Sequence, residues 1–373
     1  KYLFIFLLKS FIYSISIFFL LSITRNLNYS DFFYYGNEIK FVLLFNIISL
    51  LLQLSVYKRS NIENNNWLFI GNESLLEIIK NDQFFKKNNF SLINFTKKDI
   101  FNLKDFNLTQ NSLIIEEEYI KKNYDPNFLK LLKDRNIKII RFDDWCNLYL
   151  ETIPPELYFY KYQINVYPSQ RKIFQLSIKR IGDLVVSFIL LIVTSPIIFL
   201  SAIIIYLQDR GGIFYSQERT GYNGKIFRIY KLRSMKEDAE KDKAQWSYHK
   251  DQRITKFGKF IRLTRIDELP QLISVIKGEM SLIGPRPERP EIDEKLSKII
   301  PNYFERYYLK PGLSGWAQVN YPYGASVEDA KIKLSYDLYY LKNVTLLIDL
   351  LIFFKTIRLI FNARGAIAYK FFN

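Results

Sequence analysis

Hydrophobic positions along this chain fall into long unbroken runs, short isolated runs, and runs spaced for one face of a helix. The long runs come first. Residues 2–23, YLFIFLLKSFIYSISIFFLLSI, are apolar apart from Lys9, and about 20 such residues cross a bilayer. A second run over about 39–57, IKFVLLFNIISLLLQLSVY, ends at Lys58-Arg59, which favours a cytoplasmic end there. With the short polar loop between them, 1–59 is expected to be a transmembrane helical hairpin. Two buried core helices are the alternative, and the lack of a polar face argues against them. No small-residue cleavage site of a signal peptide follows the first run. The chain starts at Lys1 rather than Met, which leaves room for a preceding segment.

After an Asn-rich linker the pattern changes to short apolar runs. WLFIGNESLLEIIK (67–80) predicts strand, turn and helix. SLINF, SLIIEEEYI and IKIIRF follow, separated by Lys- and Asn-rich stretches. Strands alternating with helices predict a small α/β domain over 66–145. Its first turn, IGNES, has one glycine where a dinucleotide loop needs three. The domain is therefore expected to be a degenerate, Rossmann-like module with a structural or regulatory role. Pro154-Pro155 and Pro168 mark 146–178 as a connector.

A third long run, KRIGDLVVSFILLIVTSPIIFLSAIIIYLQDR (179–210), carries Ser195-Pro196 near its middle. Pro196 cannot donate a backbone bond and crowds the carbonyl of Ile192, so a helix here is expected to bend. The Ser195 hydroxyl can supply a local polar partner. Basic residues flank both ends, and a straight span would put one basic flank outside. A re-entrant membrane helix keeps both flanks on the cytoplasmic side. Beyond it, 211–373 has no uninterrupted run of spanning length. TLLIDLLIFFKTIRLIF (345–361) predicts an amphipathic helix in the membrane interface, or a core helix.

Composition narrows the chemistry. The chain has 373 residues, a formal net charge of +16, one cysteine (Cys146) and one histidine (His249). An internal disulfide, a Cys-based zinc site and a His-rich metal site are excluded, and a Ser-His-Asp triad is disfavoured. Any metal would need oxygen ligands, which points to Mg²⁺ or Mn²⁺. Aromatic residues lie in apolar runs rather than on a basic face, so nucleic acid is not the expected partner. Anionic lipid head groups account for the charge more simply.

The candidate chemistry sits in 225–320. RIDELPQ (265–271) sets Asp267 and Glu268 side by side at or just before a helix N-terminus, with Pro270 suited to the first turn. KIFRIYKLRSM (225–235) alternates apolar and basic residues, placing Lys231 and Arg233 on one strand face. In GPRP (284–287), Pro285 and Pro287 stiffen the backbone around Arg286. KPGLSGWAQVN (310–320) is a Gly-rich turn with an aromatic at Trp316, able to approach a nucleotide closely. Together these elements describe a site for a phosphorylated substrate, with one acid as nucleophile and the other as metal ligand.

The stretches KRIGDLVVSFILLIVTSPI, YKLRSM, RLTRIDELPQLISVIKGEMSLIGPRP and KPGLSGWAQVNYPYGAS resemble the bacterial sugar transferase family, the monotopic polyprenyl-phosphate phosphoglycosyltransferases, over about 174–363. The hairpin and the α/β domain resemble the larger members, which initiate exopolysaccharide, capsule or O-antigen assembly. The resemblance implies an α/β membrane protein whose catalytic domain, 211–373, has interfacial helices on the cytoplasmic face of the bacterial inner membrane. It implies transfer of a sugar-1-phosphate from a UDP-sugar to polyprenyl (undecaprenyl) phosphate, releasing UMP. Asp267 would be the nucleophile and Glu268 the Mg²⁺ ligand. Arg262, Arg286, Lys231, Arg233, Pro285, Pro287 and Gln318 would line the substrate site. Ser195 and Pro196 would keep the membrane helix re-entrant. Membrane lipids, and a second copy in a homodimer, are the implied partners. A non-catalytic scaffold of a polysaccharide assembly complex is the competing function.

Overall fold

The computed structural model describes residues 66–80, 91–94, 112–123, 130, 139–156, 170–236, 251–321, 324 and 326–361, with Leu44 and Ile47. The hairpin expected over 1–59 lies outside them, apart from those two helical positions. The chain divides into two compact units, 1–142 and 143–373.

The first unit holds a parallel sheet of β1 (Asn66–Ile70), β2 (Ser91–Asn94), β3 (Ser112–Ile115) and β4 (Ile139–Arg141), in the order β2-β1-β3-β4. Helix α1 (Glu73–Lys80) follows β1, and α2 (Glu117–Asn123) follows β3. The near-continuous apolar strands of WLFI and SLII are what a sheet covered on both faces requires. Trp67, Leu68, Phe69, Ile70, Leu113, Ile114 and Ile115 are all buried. The turn after β1 is already filled: the Asn72 amide donates to Glu116 Oε2 at 2.6 Å. A Cβ on Gly71 would lie 2.4 Å from the Phe69 ring and 2.8 Å from that carboxylate. The single glycine of IGNES thus serves packing.

The second unit begins within α3 (Phe142–Trp145) and a wide π-type turn, Cys146–Leu150. The segment expected as a plain connector differs from that expectation at both ends. Residues 143–156 are embedded in the unit, and helix α4 starts at Gln170 rather than 179. No proline follows Pro168 until Pro196, so QRKIFQLSI continues the helix. Helix α4 (Gln170–Asp209) has 40 residues and runs through Pro196 without interruption. The Ser195 hydroxyl donates to the Ile192 carbonyl at 2.8 Å, the group whose helical partner Pro196 removes. Among the described residues this is the one helix long and apolar enough to cross a membrane.

A hairpin of β5 (Phe214–Thr220) and β6 (Ile226–Leu232) follows, antiparallel from Phe214–Leu232 to Thr220–Ile226. Next come α5 (Lys256–Leu263), the turn Ile266–Gln271, α6 (Leu272–Lys277), β7 (Ser281–Ile283), α7 (Pro290–Ile299) and the turn Tyr303–Tyr308. Strand β8 (Gly312–Ser314) pairs parallel with β7, and α8 (Trp316–Asn320), α9 (Val327–Lys342) and α10 (Leu346–Phe361) complete the unit. Ser326 and Asp329 form a reciprocal capping box that starts α9. Helix α10 buries Leu351 and Ile352 and exposes Leu346, Leu350, Phe353 and Phe354. The exposed set recurs at helical spacing and forms one apolar stripe.

Both ends of α4 are fastened to this unit. Lys179 pairs with Asp349 at 2.8 Å, and Arg180 donates to the carbonyls of Val275 and Ile276 at 2.7 and 3.0 Å. Asp183 accepts from the Ser281 hydroxyl at 2.7 Å and the Leu282 amide at 3.2 Å. At the far end Ile205 is buried with Leu232 and Ile261, and Asp209 pairs with Arg233.

Candidate active site

The acid pair is carried on a tight 3₁₀ turn, Ile266–Gln271, which runs directly into α6. Arg265 enters the turn in the left-handed region, φ 57°, a conformation that costs a non-glycine residue about 1 kcal/mol. Two apolar anchors fix the turn. Ile266 packs on Ile205, Leu232 and Ile261, while Val275 is buried with Ile229 and Met280. The acids are thereby held inside: Asp267 is 7% exposed and Glu268 6%.

The two neighbours have opposite surroundings. Glu268 is clamped by three cations: Lys231 Nζ at 2.9 Å and Arg286 Nη2 at 2.6 Å on Oε1, and Arg265 Nη1 at 3.1 Å on Oε2. Burial alone would raise its pKa. The charges of Arg286, Lys231 and Arg265 outweigh that and hold it well below the usual carboxylate range. The Asp267 carboxylate makes no hydrogen bond or ion pair with any of the described residues. Burial, and then the negative charge of Glu268, push it up to about 6, against the pull of Lys231, Arg262 and Arg286. One carboxylate is locked, and the other is left available.

The GPRP loop supplies Arg286. Pro285 and Pro287 are buried on either side of it. The Pro285 carbonyl accepts from the Gly312 amide at 2.9 Å, and that of Pro287 from Arg219 Nη1 at 3.2 Å. The Arg286 carbonyl accepts from Arg306 Nη2 at 2.9 Å. Arg306 is itself buried, paired with Asp337 at 2.7 Å and lying over the Tyr303 and Tyr307 rings. Close backbone approach requires glycine beside the loop: a Cβ on Gly312 would sit 2.1 Å from the Gly284 nitrogen.

The remaining expected residues divide. Arg262, in the last turn of α5, is close enough for its charge to act on Asp267. Arg233 lies just past β6 and pairs with Asp209 rather than with the acids. Gln318, on α8, donates from Nε2 to the Leu313 carbonyl at 3.4 Å, and its Oε1 is buried with no partner among the described residues. Trp316 corrects the expectation of a ring offered to a nucleotide. It is 1% exposed, stacked on Tyr339 at 5.7 Å, and covered by Lys355 Nζ at 4.4 Å. The Gly-rich turn directs the indole inward because its apolar area is worth more buried than exposed. Ser195 and Pro196 lie on α4, on a separate element from the acid turn. Sequence reasoning missed Arg265, Arg219 and Arg306. Only Arg265 carried a signal, its place beside the acids in RIDELPQ.

A family profile described as bacterial sugar transferase matches residues 174–363. The chain belongs to the bacterial sugar transferase family. All the acid-site residues of this family member lie inside the matched region. Over 189 residues the chain is 45% identical to an Aeromonas hydrophila protein named UDP-N-acetylgalactosamine-undecaprenyl-phosphate N-acetylgalactosaminephosphotransferase, covering 51% of this chain and 45% of the relative. It is 37% identical over 181 residues to a Klebsiella pneumoniae UDP-glucose:undecaprenyl-phosphate glucose-1-phosphate transferase, covering 48% of this chain and 39% of the relative. A Caulobacter vibrioides protein of the same name is 39% identical over 183 residues, covering 48% of this chain and 68% of the relative. The match thus spans less than half the length of the first two of these relatives.

The donor set accommodates Mg²⁺ in one manner. Among the described residues no three His, Cys, Asp or Glu side chains gather into a metal cage. Mg²⁺ commonly takes one or two carboxylates and completes its shell with substrate phosphate and water. A carboxylate has about four lone-pair directions. Three cationic contacts on Glu268 leave about one on Oε2, and Asp267 beside it has no partner among the described residues.

Proposed function

We propose that this sugar transferase moves a sugar-1-phosphate from a UDP-sugar to undecaprenyl phosphate in two displacements at Asp267. The observation that carries the reading is the asymmetry of the acid pair. A nucleophile must have a free lone pair, and the buried Asp267 carboxylate has no hydrogen-bond or ion-pair partner among the described residues. With its pKa at about 6 it is mostly ionised at neutral pH and more basic than an ordinary aspartate.

In the first displacement an Asp267 oxygen bonds to the sugar-linked phosphorus of the UDP-sugar. The bond from that phosphorus to the bridging oxygen breaks, and UMP leaves with the bridging oxygen. In the second, an oxygen of undecaprenyl phosphate attacks the same phosphorus. The acyl-phosphate bond breaks, and the Asp267 carboxylate is regenerated. No proton need move in either step. Arg286 and Lys231 stand where charge on the transferring phosphoryl group needs compensation. Glu268 would hold Mg²⁺ through its remaining lone pair, and the ion when bound would neutralise diphosphate charge.

Membrane attachment through one leaflet supports access to the lipid acceptor. One unit grips both ends of α4, and the apolar stripe of α10 suits the membrane interface. The family's larger members start polysaccharide assembly in the inner membrane, with catalysis on the cytoplasmic face, and the same placement is proposed here. The deciding experiment incubates purified protein with a panel of UDP-sugars and Mg²⁺ but no lipid. UMP release with a phospho-sugar adduct on the peptide containing Asp267 is expected. Product formed only when both substrates are present, with no adduct at any time, would refute the two-step route.

A further inference from the structure

Residues 143–156 lie outside the region matched by the family profile, yet Trp145, Cys146 and the run Leu150–Pro155 are buried in the second unit. Trp145, Cys146 and Ile153 are 0% exposed and Leu150 1%. The segment is stitched to the unit along its length. The Glu151 carbonyl accepts from Trp316 Nε1 at 3.1 Å, and the Ile153 amide donates to the Ser335 carbonyl at 2.9 Å. The Pro155 carbonyl accepts from Asn302 Nδ2 at 2.8 Å, and Asn147 Oδ1 from Asn343 Nδ2 at 2.6 Å. Lys331 pairs with Glu156.

The place it holds is the Gly-rich turn. Trp316 opens α8, and Gln318 lies two residues on. The Trp316 ring is fixed from three sides: by the Glu151 carbonyl, by Tyr339 stacked on it, and by Lys355, which also donates to Asn320 Oδ1 at 2.5 Å. Gln318 Oε1 is a buried acceptor with no partner among the described residues. Buried acceptors in native folds are normally satisfied, so this one is available to a donor on a bound molecule.

We propose that 143–156 is a strap that positions the Gly-rich turn, and with it Gln318, for the sugar nucleotide. Glu151 and Ile153 act on the substrate through Trp316 and Ser335 and do not touch it. The strap sets affinity for the donor and leaves the displacement at Asp267 intact. This role rests on the proposed transfer reaction.

The test uses the full chain in detergent. Ile153→Asp places a charge at a fully buried position and expels the strap. Trp316→Phe keeps an aromatic ring at the position, removes the bond to Glu151 and trims the surface that Tyr339 and Lys355 cover. Hydrogen exchange of 143–156 and 312–320 is measured together with kcat and KM for UMP release. The expected result is that Ile153→Asp exposes both segments together and raises KM for the UDP-sugar at least tenfold, with kcat within about threefold. Trp316→Phe, which guards against global unfolding of the first variant, should raise KM in the same direction by a smaller factor. Faster exchange in 143–156 with 312–320 unchanged overturns the proposal, as does a lowered Tm with KM unchanged in both variants. Should the unaltered protein release no UMP from any UDP-sugar, the transfer reading fails, and joint or separate exchange of the two segments still decides the strap.

Discussion

Arg286 Nη2 lies 2.6 Å from Glu268 Oε1, joining the stiff loop between Pro285 and Pro287 to the acid turn 18 residues earlier. Arg286→Ala removes this contact and leaves Glu268 with Lys231 and Arg265. Loss of one pre-aimed charge partner of a transition state typically costs 10²–10³ in kcat. Expected is a fall of about 10² in kcat/KM for UMP release, with Arg286→Lys nearly as impaired because an ammonium lacks the planar fork. Full activity in Arg286→Ala would remove this residue from the site.

Asp267 sets function against stability. Its pKa is pushed from the ordinary 3.8 to about 6, so the folded state binds its proton more tightly than the unfolded chain. That contribution to stability is fully present below pH 4 and is lost as pH rises through 6. At pH 7.5 the buried charge is a burden of about 3 kcal/mol. Asp267→Asn should therefore abolish UMP release and raise Tm at pH 7.5 in metal-free buffer. The gain should shrink toward zero as pH falls to 4. Thermal unfolding of both proteins across that range checks it; a Tm gain independent of pH would contradict the assigned cause.

What could be read in advance followed how local each signal was. WLFIGNESLLEIIK carries its own period change, and β1 and α1 form where it does. The acid pair and the GPRP loop are short stretches whose chemistry is visible without neighbours. The strap was not legible: WCNLYLETIPPE has neither helical nor strand period, and its burial depends on Trp316 and Ser335, both more than 160 residues away. Trp316 was misread for the same reason, since a glycine-flanked aromatic looks the same whether it faces a ligand or a core. Arg219 and Arg306 are two among many basic residues, and only tertiary contacts with the Arg286 loop distinguish them.

Asp183 is buried and holds the start of β7 through the Ser281 hydroxyl and the Leu282 amide. Asp183→Ala strands the buried Ser281 hydroxyl and the partly buried Leu282 amide, which costs about 1–3 kcal/mol. A drop in Tm of roughly 2–12 °C is expected for a unit of this size. Asp183→Asn keeps an acceptor for the amide and should lose about half as much. Equal losses in the two variants would mean that the carboxylate charge, not its acceptor geometry, matters.

The long helix makes the last prediction. Its exposed residues from Leu184 to Leu207 are almost all apolar, while Lys179, Arg180 and Asp183 at one end and Ile205 and Asp209 at the other are held by the same unit. A helix of 40 residues is about 60 Å long, enough to cross a bilayer of about 30 Å. Crossing would put its two ends on opposite sides, and one globular unit cannot hold both ends across the hydrocarbon core without burying its own charges there. With Cys146→Ser as background, Arg171→Cys and Gly212→Cys should therefore react with a membrane-impermeant maleimide from the same side of sealed vesicles, in inverted preparations and not in right-side-out ones. Labelling of the two positions from opposite sides would establish a true span and refute the one-leaflet arrangement.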